Sequence, residues 1–257
     1  MLSNYQQFKA LHGADELLIL PNVWDAGSAI LLQESGFPAI GTSSAAVAAS
    51  LGYDDGERMP FAEYLFVIKR ILASVPIPVT VDLEMGYGKT NDEIIENIGR
   101  IIELGVVGIN IEDSTIYHSI RSLKSADEFT KTLEAIKNHF TQSNQSLFIN
   151  VRCDTYLLQV ENKQEETVNR LKLYESTGVD GVFLPCICNE EDIRDAVAAT
   201  KLPLNVMCVP GLPAFDKLYE LGVKRVSTGP FLFHKTYGKA SELVEEIIAN
   251  NHFYSIL

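Results

Sequence analysis

One phrase recurs where helix-like segments give way to strand-like ones: Glu-Ser-Gly-Phe at Gly36, Glu-Leu-Gly-Val at Gly105, Ser-Thr-Gly-Val at Gly178 and Glu-Leu-Gly-Val at Gly222. A glycine at such a junction takes the left-handed conformation that ends a helix. Each phrase leads into a short apolar segment, partly β-branched or aromatic, as a buried strand is. Two further strands are entered through proline, at Pro76–Pro78 and at Pro203. The pattern predicts strands over 17–20, 39–42, 79–83, 107–112, 147–152, 181–184, 204–209 and 225–228.

Helical periodicity fills the gaps. Over 91–104, Ile94, Ile95, Ile98, Ile101 and Ile102 mark one face, and Thr90 with Glu93 reads as a capping box. Over 126–140 the stripe is Phe129, Leu133, Ile136 and Phe140, with Ser125 and Glu128 as a second box. Phe61, Tyr64, Leu65, Ile68, Ile71 and Leu72 mark a third helix. No linker or shift of composition divides the chain, so residues 1–257 are expected to form one domain. Eight β-α repeats in this length predict an α/β fold, a single (β/α)8 TIM-type barrel. A doubly wound open sheet is the alternative. It would favour a glycine-rich phosphate loop after the first strand, and Pro-Asn-Val-Trp-Asp-Ala-Gly at 21–27 is not one.

The formal net charge is −13, and no local basic patch offsets it, so no nucleic-acid partner is expected. No apolar run approaches the roughly 18–20 residues of a membrane span. The N-terminus lacks a signal pattern. Cys153, Cys186, Cys188 and Cys208 include no Cys-x-x-Cys pair and read as buried thiols in a reducing compartment. The expected location is cytoplasmic.

Parity along the strands locates the chemistry. Val79, Val81 and Leu83 share one face, against Thr80, Asp82 and Glu84. Val107, Ile109 and Ile111 oppose Gly108, Asn110 and Glu112. Ile149 and Val151 oppose Phe148, Asn150 and Arg152. In a barrel the apolar face meets the helices, so the other points inward and turns polar at the C-terminal end, where barrel active sites lie. Three acids and an arginine converging there are costly to bury unless paired or metal-bound. A salt-bridge network of Arg152 with Glu112 or Asp82 accounts for one carboxylate and leaves two. The ligand candidates are all oxygens, which suits Mg²⁺, or Mn²⁺, better than zinc.

Gly-Thr-Ser-Ser-Ala at 41–45 follows the second strand, where backbone N–H groups could hold an anion. Trp24 and Asp25 follow the first strand and could wall a pocket. Asp54 and Asp55 lie nearby in sequence. Tyr117, His118, Arg121 and Lys124 fall in a loop long enough to be a lid. No strand carries a lysine near its C-terminal end, so Schiff-base chemistry is not expected.

Val-Asp-Leu-Glu-Met-Gly-Tyr-Gly (81–88), Gly-Ile-Asn-Ile-Glu-Asp (108–113) and Asn-Val-Arg-Cys-Asp (150–154) resemble the phosphoenolpyruvate mutase/isocitrate lyase superfamily. Ala-Ser-Leu-Gly-Tyr-Asp-Asp (49–55), Pro-Leu-Asn-Val (203–206) and Arg-Val-Ser-Thr-Gly-Pro (225–230) extend the match in order over nearly the whole chain. The resemblance implies a barrel whose last helix is exchanged between subunits, usually in a tetramer. It implies Mg²⁺ and a 2-oxo acid or related small carboxylate. By position it implies Asp82 as direct metal ligand, with Glu84, Glu112 and Asp55 on metal-bound waters. It implies backbone N–H groups of Ser43, Ser44 and Ala45 on the substrate carboxylate, and Arg152 as the substrate clamp. Thr42, in the 41–45 phrase, and Asn205, in the matching 203–206 segment, complete the expected binding set with Trp24 and Asp25, and Arg152 and Glu112 are the expected catalytic pair.

Three departures narrow the reading. Residues 114–125 contain no cysteine, unlike the Lys-Lys/Arg-Cys-Gly-His lid of isocitrate and methylisocitrate lyases, and lack the lysine and Asn/Thr set of the mutase and the phosphonopyruvate hydrolase. Pro230 stands where the oxaloacetate decarboxylase branch has a histidine. Glu84 replaces a commoner aspartate. The chain is most similar to short-lid members described as carboxyvinyl-carboxyphosphonate phosphorylmutase-like. The expected function is a Mg²⁺-dependent lyase-type enzyme cleaving a C–C or P–C bond through an enolpyruvate-like intermediate. The alternatives are a phosphomutase or phosphonopyruvate hydrolase, and a catalytically silent barrel that binds a metal carboxylate. An apolar stripe of Leu243, Val244, Ile247 and Ile248, followed by Phe253, Tyr254, Ile256 and Leu257, predicts a homo-oligomer.

Overall fold

The computed structural model describes residues 2–257. The chain begins with α1 (Asn4–Gly13), β1 (Leu18–Leu20), β2 (Asn22–Val23), α2 (Ala26–Glu34), β3 (Ile40–Thr42), α3 (Ser44–Ser50), α4 (Phe61–Leu72) and β4 (Val79–Asp82). It continues through α5 (Asn91–Glu103), β5 (Gly108–Glu112), β6 (Ser114–Tyr117), β7 (Ile120–Leu123), α6 (Ala126–Gln142) and β8 (Phe148–Arg152). The last elements are α7 (Lys163–Ser176), β9 (Gly181–Leu184), α8 (Glu190–Ala199), β10 (Leu204–Met207), α9 (Phe215–Glu220), β11 (Arg225–Ser227) and α10 (Phe231–Asn250).

Nine segments form one parallel sheet in the order β1-β11-β10-β9-β8-β5-β4-β3-β2. The two ends of that order, β1 and β2, are consecutive in the chain and separated only by Pro21. Proline has no N–H to give a ladder, and here the strand changes neighbour: Leu18–Leu20 pairs with β11, Asn22–Val23 with β3. The sheet therefore closes through a single interrupted strand into the expected eight-position barrel.

The parity reading holds within the strands, but Val107, read as sharing the face of Ile109 and Ile111, lies just before β5 and joins the inner core instead. Val79, Val81, Leu83, Ile109, Ile111, Ile149 and Val151 belong to the large core between strands and helices. Inside, at the N-terminal end of the strands, α1 closes the barrel with a second, smaller core of Phe8, Leu18, Leu20, Ala39, Val107 and Phe148. The Phe8 and Phe148 rings meet edge to face at 5.4 Å, and His12 stacks on Phe148 at 4.2 Å. A Cβ on Gly108 would come within 3.1 Å of Phe8, Thr80 and the Phe148 carbonyl, so the close packing of this floor requires glycine there. Ser3 and Gln6 form a complete capping box for α1.

Of the two boxes expected further on, Thr90 caps α5 through the Glu93 N–H, while Glu93 reaches back one residue too far, to Lys89 N at 2.6 Å. Ser125 makes no side-chain cap for α6. Residues 114–125, expected as an open loop, form the antiparallel β6–β7 hairpin, joined by His118 and Ser119, both in the left-handed region. Cys153 is buried and Cys186 and Cys188 are half-buried, but Cys208 is exposed, contrary to the reading of all four as buried; all are free. Among the described residues no helix is long and apolar enough to cross a membrane.

The last helix departs from the others. Phe233 packs edge to face on Trp24 at 5.3 Å and is the buried residue of α10. Beyond it, Leu243, Val244 and Ile248 are exposed, Ile248 at 74%, and Phe253, Tyr254, Ile256 and Leu257 follow uncovered.

Candidate active site

At the C-terminal end of the strands lies a cavity of about 290 Å³ whose walls include Asn22, Ser43, Ser44, Ala45, Asp55, Asp82, Asn110, Arg121, Arg152 and Ser227. Asp82 ends β4. Its Oδ2 accepts from Ser44 Oγ at 2.8 Å, and the same hydroxyl lies 3.4 Å from Asp55 Oδ1. Its Oδ1 is buried with no hydrogen-bond partner. A carboxylate oxygen left in this state is costly unless a cation completes it.

Glu84 lies beneath, 2% exposed, in a left-handed conformation that turns it off the end of β4. The Glu57 N–H and the Tyr87 hydroxyl donate to its two oxygens at 2.9 and 3.0 Å. Burial, and then the charges of Asp55, Asp82, Glu112 and Glu57, push its pKa up to about 9. Burial and the neighbouring carboxylates act in the same direction, each disfavouring the charged form.

Glu112 ends β5 and is held between two arginines. Arg152 Nη1 lies 2.9 Å from Oε2, and Arg121 Nη1 and Ser114 Oγ contact Oε1. Burial raises the Glu112 pKa, against the pull of Arg152 and Arg121. Arg152 is gripped in turn by Asp154, Nε to Oδ1 at 2.6 Å and Nη2 to Oδ2 at 3.3 Å. The next residue after Glu112, Asp113, points outward and accepts from Arg170 at 3.0 Å, Tyr174 at 2.7 Å and the Asp154 N–H at 2.9 Å. That buried outer clamp fixes the backbone from which Glu112 and Arg152 project.

The cavity thus joins most of the residues read from sequence: Asp55, Asp82, Arg152, Ser43, Ser44 and Ala45 at its wall, with Glu84 and Glu112 behind them. Four expectations are corrected. The Ser43 N–H is spent on Val23 O at 3.0 Å, leaving Ser44 and Ala45 as the backbone donors. Thr42 is buried behind the wall, where its hydroxyl meets Tyr64 OH at 2.6 Å and takes the Asp82 N–H at 3.0 Å. Trp24 and Asp25 are not in the wall either: Trp24 is core, and Asp25 caps α2 through Ser28 N at 2.7 Å. Asn205 pairs in register with Arg225, deep in the barrel and below the cavity.

Three residues join the site that the sequence does not assign to it, although it puts Arg121 in the candidate lid and Asn110 on an inward face. Arg121 reaches in from the hairpin to Glu112, Asp154 and Asp55. Asp154 continues the inward parity of Asn150 and Arg152. Asn110 carries the same inward parity and faces the cavity.

A family model described as phosphoenolpyruvate phosphomutase matches residues 8–248. The chain belongs to this family. Among members of the phosphoenolpyruvate phosphomutase family and its relatives, an uncharacterized protein of Mycobacterium tuberculosis is 36% identical over 222 residues, 86% of this chain and 81% of its own. A 2-methylisocitrate lyase of Bacillus subtilis is 25% identical over 203 residues, 77% of this chain and 65% of its own. A crystal structure from Burkholderia cenocepacia J2315 superposes with a TM-score of 0.88 at 35% identity, covering 95% of this chain and 98% of that one. The phosphonopyruvate hydrolase complex with oxalate and Mg²⁺ gives a TM-score of 0.87 at 20% identity, covering 99% and 90%. That last likeness is one of fold.

Proposed function

We propose that this chain is a Mg²⁺-dependent lyase-type enzyme that cleaves a C–C or P–C bond in a small 2-oxo or 2-hydroxy carboxylate. The observation that carries the proposal is Asp82 Oδ1, buried and unpartnered at the wall of a cavity that also presents Arg152. The family relatives, among them a 2-methylisocitrate lyase and an oxaloacetate decarboxylase, support the reaction class.

The residues fit a hard divalent ion. Asp82 would hold it directly, and Asp55, Glu84 and Glu112 would do so through water. Among the described residues no three His, Cys, Asp or Glu side chains converge into a group that would hold an ion by themselves. When bound, Mg²⁺ supplies Lewis-acid stabilisation to oxygens that gain negative charge.

The chain's own groups do the rest. The Ser44 and Ala45 N–H groups orient the substrate carboxylate. Arg152, held by Glu112 and Asp154, offers a fixed positive charge to the enolate that develops as the bond breaks. Arg121 closes over the site on the hairpin and limits water entry. We also propose a homo-oligomer, a tetramer by preference, in which α10 packs on a neighbouring subunit; its uncovered apolar side supports this.

Thermal-shift screening of 2-oxo acids, 2-hydroxy diacids and phosphonates with Mg²⁺ tests the reading. A ligand raises the melting temperature by mass action, and product analysis then names the bond. If no member of these classes binds, the proposal fails.

A further inference from the structure

Two amides face the cavity, and they differ. Asn22 is fully engaged: Nδ2 donates to Thr42 O at 2.8 Å, and Oδ1 accepts the Gly229 N–H at 2.8 Å. Asn110 is engaged on one side only. Its Oδ1 accepts from Asn150 Nδ2 at 2.9 Å and from Arg225 Nη2 at 3.4 Å. Two donors occupy the two lone pairs of that oxygen, which decides the orientation of the amide. Nδ2 is then the free end of an amide that lines the cavity, with no acceptor bonded to it among the described residues.

Arg225 is the unusual partner. It heads the largest side chains that are fully buried, its Nη1 has no partner, and no carboxylate among the described residues forms an ion pair with it. A guanidinium buried this way is costly, and an apolar side chain would fill the volume without that cost. The hydrogen bond it does make goes to Asn110. The reaction outlined above makes no use of either residue.

We propose that Asn110 Nδ2 donates a hydrogen bond to an oxygen of the bound substrate, and that Arg225 is the positioning residue that holds this amide through Oδ1. The proposal rests on the carboxylate reading above and adds to it the group that selects the substrate's oxygen at C2. Asn110 is the register partner of Asp82, so the donor lies on the adjacent strand at the height of the carboxylate that would hold the ion. An NH₂ group cannot ligate a cation. It suits the substrate's own oxygen, on which charge grows as an enolate forms, and a donor already oriented strengthens there without rearranging. The Arg225 charge behind the amide polarises it in the same sense. The site should therefore prefer acids with an oxygen on C2 over those without one.

Calorimetric titration of oxalate into the Mg²⁺-loaded, full-length protein tests this, using wild type, Asn110→Ala, Arg225→Met and the double variant. Asn110→Ala should bind oxalate about 10- to 100-fold more weakly, the range for a hydrogen bond to a charged group. Arg225→Met should also weaken binding although it cannot touch the ligand, and the double variant should be no weaker than Asn110→Ala alone. If Arg225→Met does not fold, Arg225→Lys, which loses the planar fork, takes its place in the cycle. Wild-type affinity in Asn110→Ala, or full additivity in the double variant, overturns the inference. Absence of any Mg²⁺-dependent oxalate binding in the wild type instead overturns the carboxylate reading, and this inference with it.

Discussion

The floor and the mouth of the barrel are built from the same inward positions of the same strands. On β8 the inward residues run Phe148, Asn150, Arg152 from floor to mouth; on β5 they run Gly108, Asn110, Glu112. At the floor the groups are apolar and sealed by α1. At the mouth they are charged, and one of them, Asp82, keeps an oxygen unpartnered. The difference teaches a division of labour: floor residues stabilise the barrel, and that stability tolerates charges at the mouth that contribute little to folding.

Substitutions at the two levels should therefore separate function from stability. The largest effect is expected at the mouth. Asp82→Ala should weaken Mg²⁺-dependent oxalate binding by more than about 100-fold with the melting temperature nearly unchanged. Calorimetry and thermal melts check both halves, and unchanged binding would sink the metal assignment. At the floor, Phe148→Ala should cost about 3–5 kcal/mol of stability, while the folded fraction binds oxalate as wild type does; denaturant titration measures the first.

Acid sharpens the same contrast. His12 is buried against Phe8 and Phe148, and burial holds its pKa down at about 3, against 6.5 in the unfolded chain. The unfolded state takes the proton first. The stability that a neutral His12 contributes is thus complete above pH 6.5 and is lost as pH falls toward 3, with a slope of at most about 1.4 kcal/mol per pH unit. His12→Phe should flatten that part of the stability curve and leave ligand binding alone; an unchanged curve would contradict this.

Two smaller effects lie outside the barrel interior. Truncation before Asn251 should shift light-scattering mass toward smaller species, whereas a monomeric full-length protein would refute the assembly proposal. Cys153→Ser should retain most activity once one is found, because Cys153 is in the outer core, opposite in parity to Arg152, where burial pushes its thiol pKa up. Loss by several orders of magnitude would contradict that assignment.

Alternation of apolar residues made the strands and their inward faces legible, and with them Asp82, Glu112 and Arg152. Height along a strand was less so. Asn110 and Asn205 both point inward, but Asn110 pairs with Asp82 and Asn205 with Arg225, and register is set by the whole barrel rather than by either strand. The hairpin escaped because its turn is His118–Ser119, without the Asn-Gly or Asp-Gly signal that marks such turns. Arg121 could be placed in the site only once that hairpin existed. Two paired residues at Asn22–Val23 are too few to show any periodicity.

Pro21 gives the barrel a seam. Every other strand of the barrel is flanked by ladders on both sides, but the first strand holds one neighbour below the proline and a different one above it. Each neighbour is thus held along only part of the strand's length, by three residue pairs to β11 and two to β3. Local opening should begin there, and native-state amide exchange in Leu18–Val23 should be faster than in β5 or β8. Since Asn22 and Ser43 stand beside the seam at the cavity wall, the motion that admits exchange with solvent would also loosen one side of the site.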